Sequence, residues 1–96
     1  MISLTNETPE NIIFFIKSLL DSNKLPFIIV DNEKVGVVKS IKNNTLSVEF
    51  EEEELSLRYI SVNLLKLDEV KMNSIFTDQN EISVYPEKSV IHLLID

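Results

Sequence analysis

Apolar and polar positions change period several times along this chain, and each change marks an element. Ile12, Ile13, Ile16, Leu19 and Leu20 recur at helical spacing. On a helical wheel they share one wide face with Phe15, whereas Phe14 falls on the opposite arc with Lys17, Ser18 and Asp21. Thr8-Pro9-Glu10 supplies the start. Thr8 offers a capping hydroxyl, Pro9 lacks an N–H where none is needed, and Glu10 meets the positive end of the helix dipole. The helix fades at Asp21-Ser22-Asn23, and Pro26 forbids extension.

From there the period shortens. Phe27 to Val30 is a short apolar run rich in β-branched residues, closed by Asp31-Asn32, and predicts a strand buried on both faces. Lys34 to Lys42 predicts a second strand, in which Gly36, the one glycine, marks a bulge or a close backbone approach. Asn43-Asn44 is a two-residue turn, because asparagine tolerates positive φ. Thr45 to Glu51 alternates, with Leu46, Val48 and Phe50 on one face and Ser47, Glu49 and Glu51 on the other. Leu55, Leu57 and Tyr59 continue the alternation. The phase then passes to Ile60, Val62 and Leu64, which predicts a bulge or a short helical turn at Ser61 to Leu64.

Residues 68–81 are polar, with Val70, Met72, Ile75 and Phe76 scattered among them, and predict a short strand or a loop. Ser83-Val84-Tyr85 predicts a short strand stopped by Pro86. Ser89 to Ile95 predicts a last strand, apolar on both faces: Val90, His92 and Leu94 point one way, Ile91, Leu93 and Ile95 the other. Such a strand must be inserted in the sheet, covered by the helix or paired with a second copy. With the two-faced run at Phe27 to Val30, it predicts a homo-oligomer, a dimer being the commonest closed form, with Val90, Ile91, His92, Leu93, Leu94 and Ile95 at the interface. The whole pattern predicts one α+β domain over residues 1–96. An N-terminal helix packs on a strongly bent, mainly antiparallel sheet, small and barrel-like, of five or six strands.

Composition narrows the function. Apolar residues make up 44% of 96, enough to fill one modest core. The absence of cysteine removes disulfide and thiolate chemistry and suits a reducing compartment. MISLTNETPE has neither the basic region nor the apolar stretch of a secretory signal. No apolar cluster nears the roughly 20 residues of a membrane span. A cytoplasmic protein away from membranes is expected. A net charge of −7 opposes phosphate backbones, so nucleic acid is not the expected partner, and it favours a protein with a basic surface.

Glu51, Glu52, Glu53 and Glu54 form the one low-complexity feature. Adjacent strand residues point to opposite faces, so the four cannot converge on one ion, and the spacing of a calcium loop is missing. The run predicts a solvated hairpin tip whose like charges resist edge pairing, and it is the candidate contact for a basic partner. Phe14, a large aromatic on the polar arc of the helix, is the second candidate contact.

His92 is the sole histidine and has no second ligand nearby in sequence. No serine sits in a nucleophile elbow and no glycine-rich loop can cradle phosphate, so no catalytic residue, metal or cofactor is expected. Lys34, Lys39 and Lys42 form a small basic strip, to which Arg58 adds little.

DNEKVGVVKSIKNNTLSVEF (31–50) followed by LSLRYISVNLLKL (55–67), after the helix that begins at Thr8, resembles the layout of Sm-like and SH3-like small barrels. The resemblance spans roughly residues 8–67 and implies a ring built through strand edges that binds RNA. Lys42 stands where the family carries an aspartate, and Arg58-Tyr59 does not match the family's later Arg-Gly signature, so no RNA-binding residue carries over. The expected function is that of a small acidic, non-catalytic interaction protein, of the kind represented by phage or bacterial inhibitors and immunity proteins, which occupy a partner's surface. The alternative is an Sm-like ring that binds nucleic acid or a nucleotide. A subunit that only assembles is the third.

Overall fold

The computed structural model describes residues 1–51, 57–68 and 81–95, the side chains of Glu51 and Leu57 excepted. Among these lie one helix, α1 (Pro9–Asp21), and seven strands: β1 (Ile2–Ser3), β2 (Phe27–Val30), β3 (Glu33–Lys42), β4 (Thr45–Glu51), β5 (Leu57–Leu64), β6 (Glu81–Val84) and β7 (Ile91–Leu94). They form one sheet in the order β1-β7-β2-β3-β4-β5-β6. Every pairing is antiparallel except β5 with β6. The class is α+β, as the pattern predicts. The sheet has seven strands rather than five or six, and it is not closed into a barrel. The extra strand is β1, two residues too short to carry a period.

The helix ends as its residues dictate. The Thr8 hydroxyl accepts from the Asn11 N–H at 3.3 Å and Pro9 opens the first turn. At the other end Asn23 takes φ 59°, its N–H donating to the Leu20 carbonyl and that of Lys24 to Leu19. These are the two bonds of a Schellman motif with asparagine where glycine is the usual residue. Asn23→Gly is therefore expected to stabilise the fold by up to about 1 kcal/mol, raising the melting midpoint by up to about 8 °C. A lower midpoint would mean that the added freedom of the unfolded chain outweighs the relief. Lys66 Nζ lies 2.7 Å from Glu10 Oε1. That hydrogen bond is the main cause holding the Glu10 carboxyl below its ordinary range. The small contribution of the pair is present above the ordinary carboxylate range and is lost as pH falls through the lowered value. In an NMR titration of Lys66→Ala, Glu10 should return upward. An unmoved titration would show that the pair does not hold in solution.

Two bulges shape β3. Against β2, Ile28 pairs with Gly36 but Ile29 with Lys34, leaving Val35 extra. Against β4, Val38 pairs with Val48 but Ser40 with Ser47, leaving Lys39 extra. Each bulge bends the strand and raises its twist. One result is visible at the sheet's end. Val30 and Val35 line the same cavity as Ile60, Ile82 and Val84, although β2 and β6 are four places apart in the order. The hairpin turns follow the expected chemistry, with positive φ at Asp31 and Asn32 and at Asn43. Asp31 also ties β2 to the start of β7, its carboxylate accepting from the Val90 N–H at 2.9 Å and its own N–H donating to the Val90 carbonyl at 2.8 Å.

The core lies between α1 and the inner face of the sheet. Ile12 and Ile16 of the helix meet Ile28, Val38, Leu46, Val48, Val62, Leu64, Ile91 and Leu93, all without solvent exposure. Three expectations change here. Phe27 and Ile29 are half-exposed on the outer face, so β2 is buried on one side only. The register of β4 with β5 runs from Thr45–Asn63 to Glu51–Leu57 without a shift, so Ser61 to Leu64 contain neither bulge nor helical turn. The change of phase is only an outer-face Tyr59 beside an inner-face Ile60. The segment Val90 to Ile95 places β7 between β1 and β2, paired on both edges within one chain. Its inner residues Ile91 and Leu93 are in the core, and the need for a second copy to cover them disappears. The strand or loop expected within residues 68–81 falls almost wholly outside the described residues, with β6 starting at Glu81.

Candidate functional site

The outer face of the sheet follows from the inner one. Ile28, Val38 and Val48 point into the core, so their neighbours Phe27, Val37 and Glu49 project the other way. The register joins these into one row across five strands: Leu94 with Phe27, Phe27 with Val37, Val37 with Glu49, Glu49 with Tyr59. Four of the five are apolar or aromatic. Tyr59 is 59% exposed and Leu94 38%. Beside the row Phe27, Val37 and Phe50, with the backbone of Gly36, line a cavity of about 360 Å³, and Lys34 and Glu49 stand at it as charged groups. The second cavity, about 440 Å³, is the one at the sheet's end; Asp31, Glu33, Lys34 and Ser83 supply its polar lining.

The three lysines expected as a strip do stand on one strand, but they do not converge. Lys39 Nζ is 3.4 Å from Glu49 Oε2. Lys42 is at the hairpin turn and Lys34 near the opposite end of β3, which is about 25 Å away at the rise of an extended strand. His92 is half-buried on β7, opposite Ser3 and Ile29. Among the described residues no three histidine, cysteine, aspartate or glutamate side chains come together as a metal site. No helix among them is long and apolar enough to cross a membrane.

Of the acidic run, Glu51 ends β4 with its backbone opposite Leu57; Glu52, Glu53 and Glu54 lie outside the described residues. Phe14 stands on the solvent side of α1 with 75% of its surface exposed, where the helical period puts it. Asn11, Lys17 and Ser18 are its neighbours at helical spacing, and the Ser18 hydroxyl donates to the Phe14 carbonyl at 3.0 Å. Val90 and Leu94 are partly exposed on the outer face while Ile95 is half-buried. A polar clamp joins three strands nearby. Asn63 accepts from the Thr45 hydroxyl at 2.8 Å and donates to Glu81 Oε1 at 2.7 Å, holding β6 to the sheet.

The outer row and its cavity are not legible in the sequence alone. Phe27, Val37 and Glu49 are far apart in the chain, and only the bulge-corrected register sets them side by side. Gly36 between two valines is the one local sign of a gap. Comparison with protein-family models, with curated proteins and with solved structures gives no match for this chain.

Proposed function

We propose that this chain is a small, acidic, non-catalytic interaction protein that works by occupying the surface of another protein, as small phage or bacterial inhibitors and immunity proteins do. One observation carries the reading: large apolar side chains stand in solvent on both faces of the molecule, Phe14 on the helix layer and Tyr59 in the outer row of the sheet. Aromatic groups of this kind anchor protein contacts, and a net charge of −7 selects a basic partner. Glu51, Glu52, Glu53 and Glu54 are the charged contact in this reading. The expected site of action is the cytoplasm.

The test is affinity capture from an extract of the source organism. The full chain is compared with a variant carrying glutamine at all four of these positions. A basic protein should be retained by the native chain, and lost with the variant and in about 1 M salt, where the Debye length falls to about 3 Å. Equal retention by both baits removes the acidic contact from the reading.

A ring-forming, barrel-like Sm-type binder of nucleic acid or a nucleotide is the second reading. Lys34, Lys39 and Lys42 favour it by lying on one strand that also borders the Tyr59 row. Their wide spacing and the ion pair at Lys39 weigh against it, because phosphate binding gains from clustered, free cations. Filter binding to single-stranded RNA at low salt decides between the two. No saturable binding is expected, and submicromolar affinity would put the second reading first.

A further inference from the structure

We propose that the edge of β6 takes an extended, basic segment of the partner protein as an added strand. The inference rests on the proposed role as an interaction protein for a basic partner, and gives the form in which that partner is held.

The register fixes which backbone groups are available. β5 and β6 are parallel, and the Leu65 N–H donates to the Val84 carbonyl at 2.9 Å. Along a strand, alternate residues turn both backbone groups to the same side. Ile82 and Val84 therefore bond to β5, while Glu81 and Ser83 turn theirs away from it. β6 ends the strand order, and among the described residues neither the N–H nor the carbonyl of Ser83 has a partner. An edge left in this state is a template for another chain, and the usual guards against it are missing. Glu81 to Val84 contain no lysine or proline, and their register with β5 has no shift. The opposite edge, β1, is only two residues long.

Side chains set the pattern of the occupant. Ile82 pairs with Val62 and Val84 with Leu64, both core residues, so Ile82 and Val84 stand on the inner side of the sheet. Ile82 is still 37% exposed there. Both line the cavity of about 440 Å³ at the sheet's end, together with Val30 and Val35. Every second side chain of an added strand comes beside them and is best apolar, and the others come beside Glu81 and Ser83 on the outer side. Charge then decides between a partner and a second copy. Asp31 and Glu33 at the cavity and Glu81 on the edge outnumber Lys34. A net charge of −7 makes copies of the chain repel one another. A cationic segment meets these carboxylates with the opposite sign, whereas a second copy meets them with its own.

The probe is a synthetic peptide of about seven residues, blocked at both ends, in which lysine and valine alternate. Its valines can lie beside Ile82 and Val84 and its lysines beside Glu81. Titrated into the isotope-labelled full chain in about 0.15 M salt, it should shift the NMR signals of the amides of Glu81 to Val84 and of Glu33 to Val35. Half-saturation is expected at about 1 mM or below. Ser83→Pro removes an N–H that only an added strand uses, and should bind at least about tenfold more weakly. It should melt within about 5 °C of the native chain, because an edge strand tolerates proline where the nitrogen faces outward. The same peptide with glutamate in place of lysine should not bind. If Ser83→Pro fails to fold, the lysine–valine peptide with methylated backbone nitrogens replaces it, and should lose binding to the same degree. The proposal is overturned by the absence of a saturable shift up to about 5 mM, by shifts centred elsewhere, or by equal binding of the Ser83→Pro variant, the methylated peptide or the glutamate peptide. It is also overturned if the native chain self-associates in sedimentation velocity while Ser83→Pro stays at 11.0 kDa, since the edge then takes a second copy. A basic protein captured from extract equally by the native chain and by Ser83→Pro overturns the added strand and leaves the proposed role standing. That role falls only when the native chain captures none.

Discussion

Replacing Gly36 with alanine is expected to cost about 3 kcal/mol or more and to lower the melting midpoint by at least about 12 °C. Two causes act together. Gly36 holds φ 146°, a region that L side chains rarely adopt. A β-carbon placed there would also meet the Glu49 carbonyl oxygen and lie 2.8 Å from Val48 Cγ1. The oxygen belongs to the backbone of β4 and cannot withdraw without breaking the ladder that joins β3 to β4. Truncating Val48 to relieve the methyl contact would add a cavity in the core and leave the φ strain in place. A domain of this size has only about 5–15 kcal/mol of stability, so the variant should sit near its unfolding threshold at growth temperature. Thermal unfolding followed by circular dichroism measures the effect. A midpoint within about 3 °C of native would show that the backbone does not hold this geometry in solution.

Truncation after Lys88 is expected to abolish folding. The cut removes β7, an internal strand on which β1 depends for its only pairing among the described residues and which supplies one of the two neighbours of β2. It takes Ile91 and Leu93 out of the core, each side chain contributing about 1.5–3 kcal/mol by its burial. It also leaves the Asp31 carboxylate without the Val90 N–H that it accepts from. The shortened chain should show no cooperative melting and a collapsed amide spectrum by NMR. Leu93→Ala, milder, should lose about 2–5 kcal/mol while still folding. A shortened chain that melts cooperatively would mean that β7 lies outside the core and that its apolar residues serve another purpose.

The two expected results differ in how much of them the sequence foretells. Gly36 is conspicuous in sequence, because a single glycine inside a run of valines has few uses in a strand. Its spacing suggests a bulge or a close approach, and both are present: Val35 is the extra residue beside it, and β4 passes against its α-carbon. The position of β7 has no such local sign. Val90 to Ile95 alternates in the same way whether it lies inside the sheet, at its edge or against a second copy. The apolar content of both faces even points away from the outcome, in which Ile91 and Leu93 are buried while Val90 and Leu94 stay over a third exposed.

What the amino-acid sequence determined by itself is therefore short in range. The cap at Thr8, the helix from Pro9 to Asp21, the stop at Asn23, the turns at Asp31-Asn32 and Asn43, and the alternation of Thr45 to Glu51 all rest on bonds and contacts between residues a few places apart. Phe14 on the solvent side of α1 belongs with them, since the helical period alone sets it opposite Ile12 and Ile16. Only the tertiary structure decided the strand order, the parallel pairing of β5 with β6, the open sheet in place of a barrel, and the row from Leu94 to Tyr59 with its cavity. These depend on pairings between distant segments, where closing the loop costs entropy and the balance is struck by the burial of whole faces at once. The period of a strand shows that two faces exist. Which of them meets the core is settled by the neighbours the strand acquires, and those come from elsewhere in the chain.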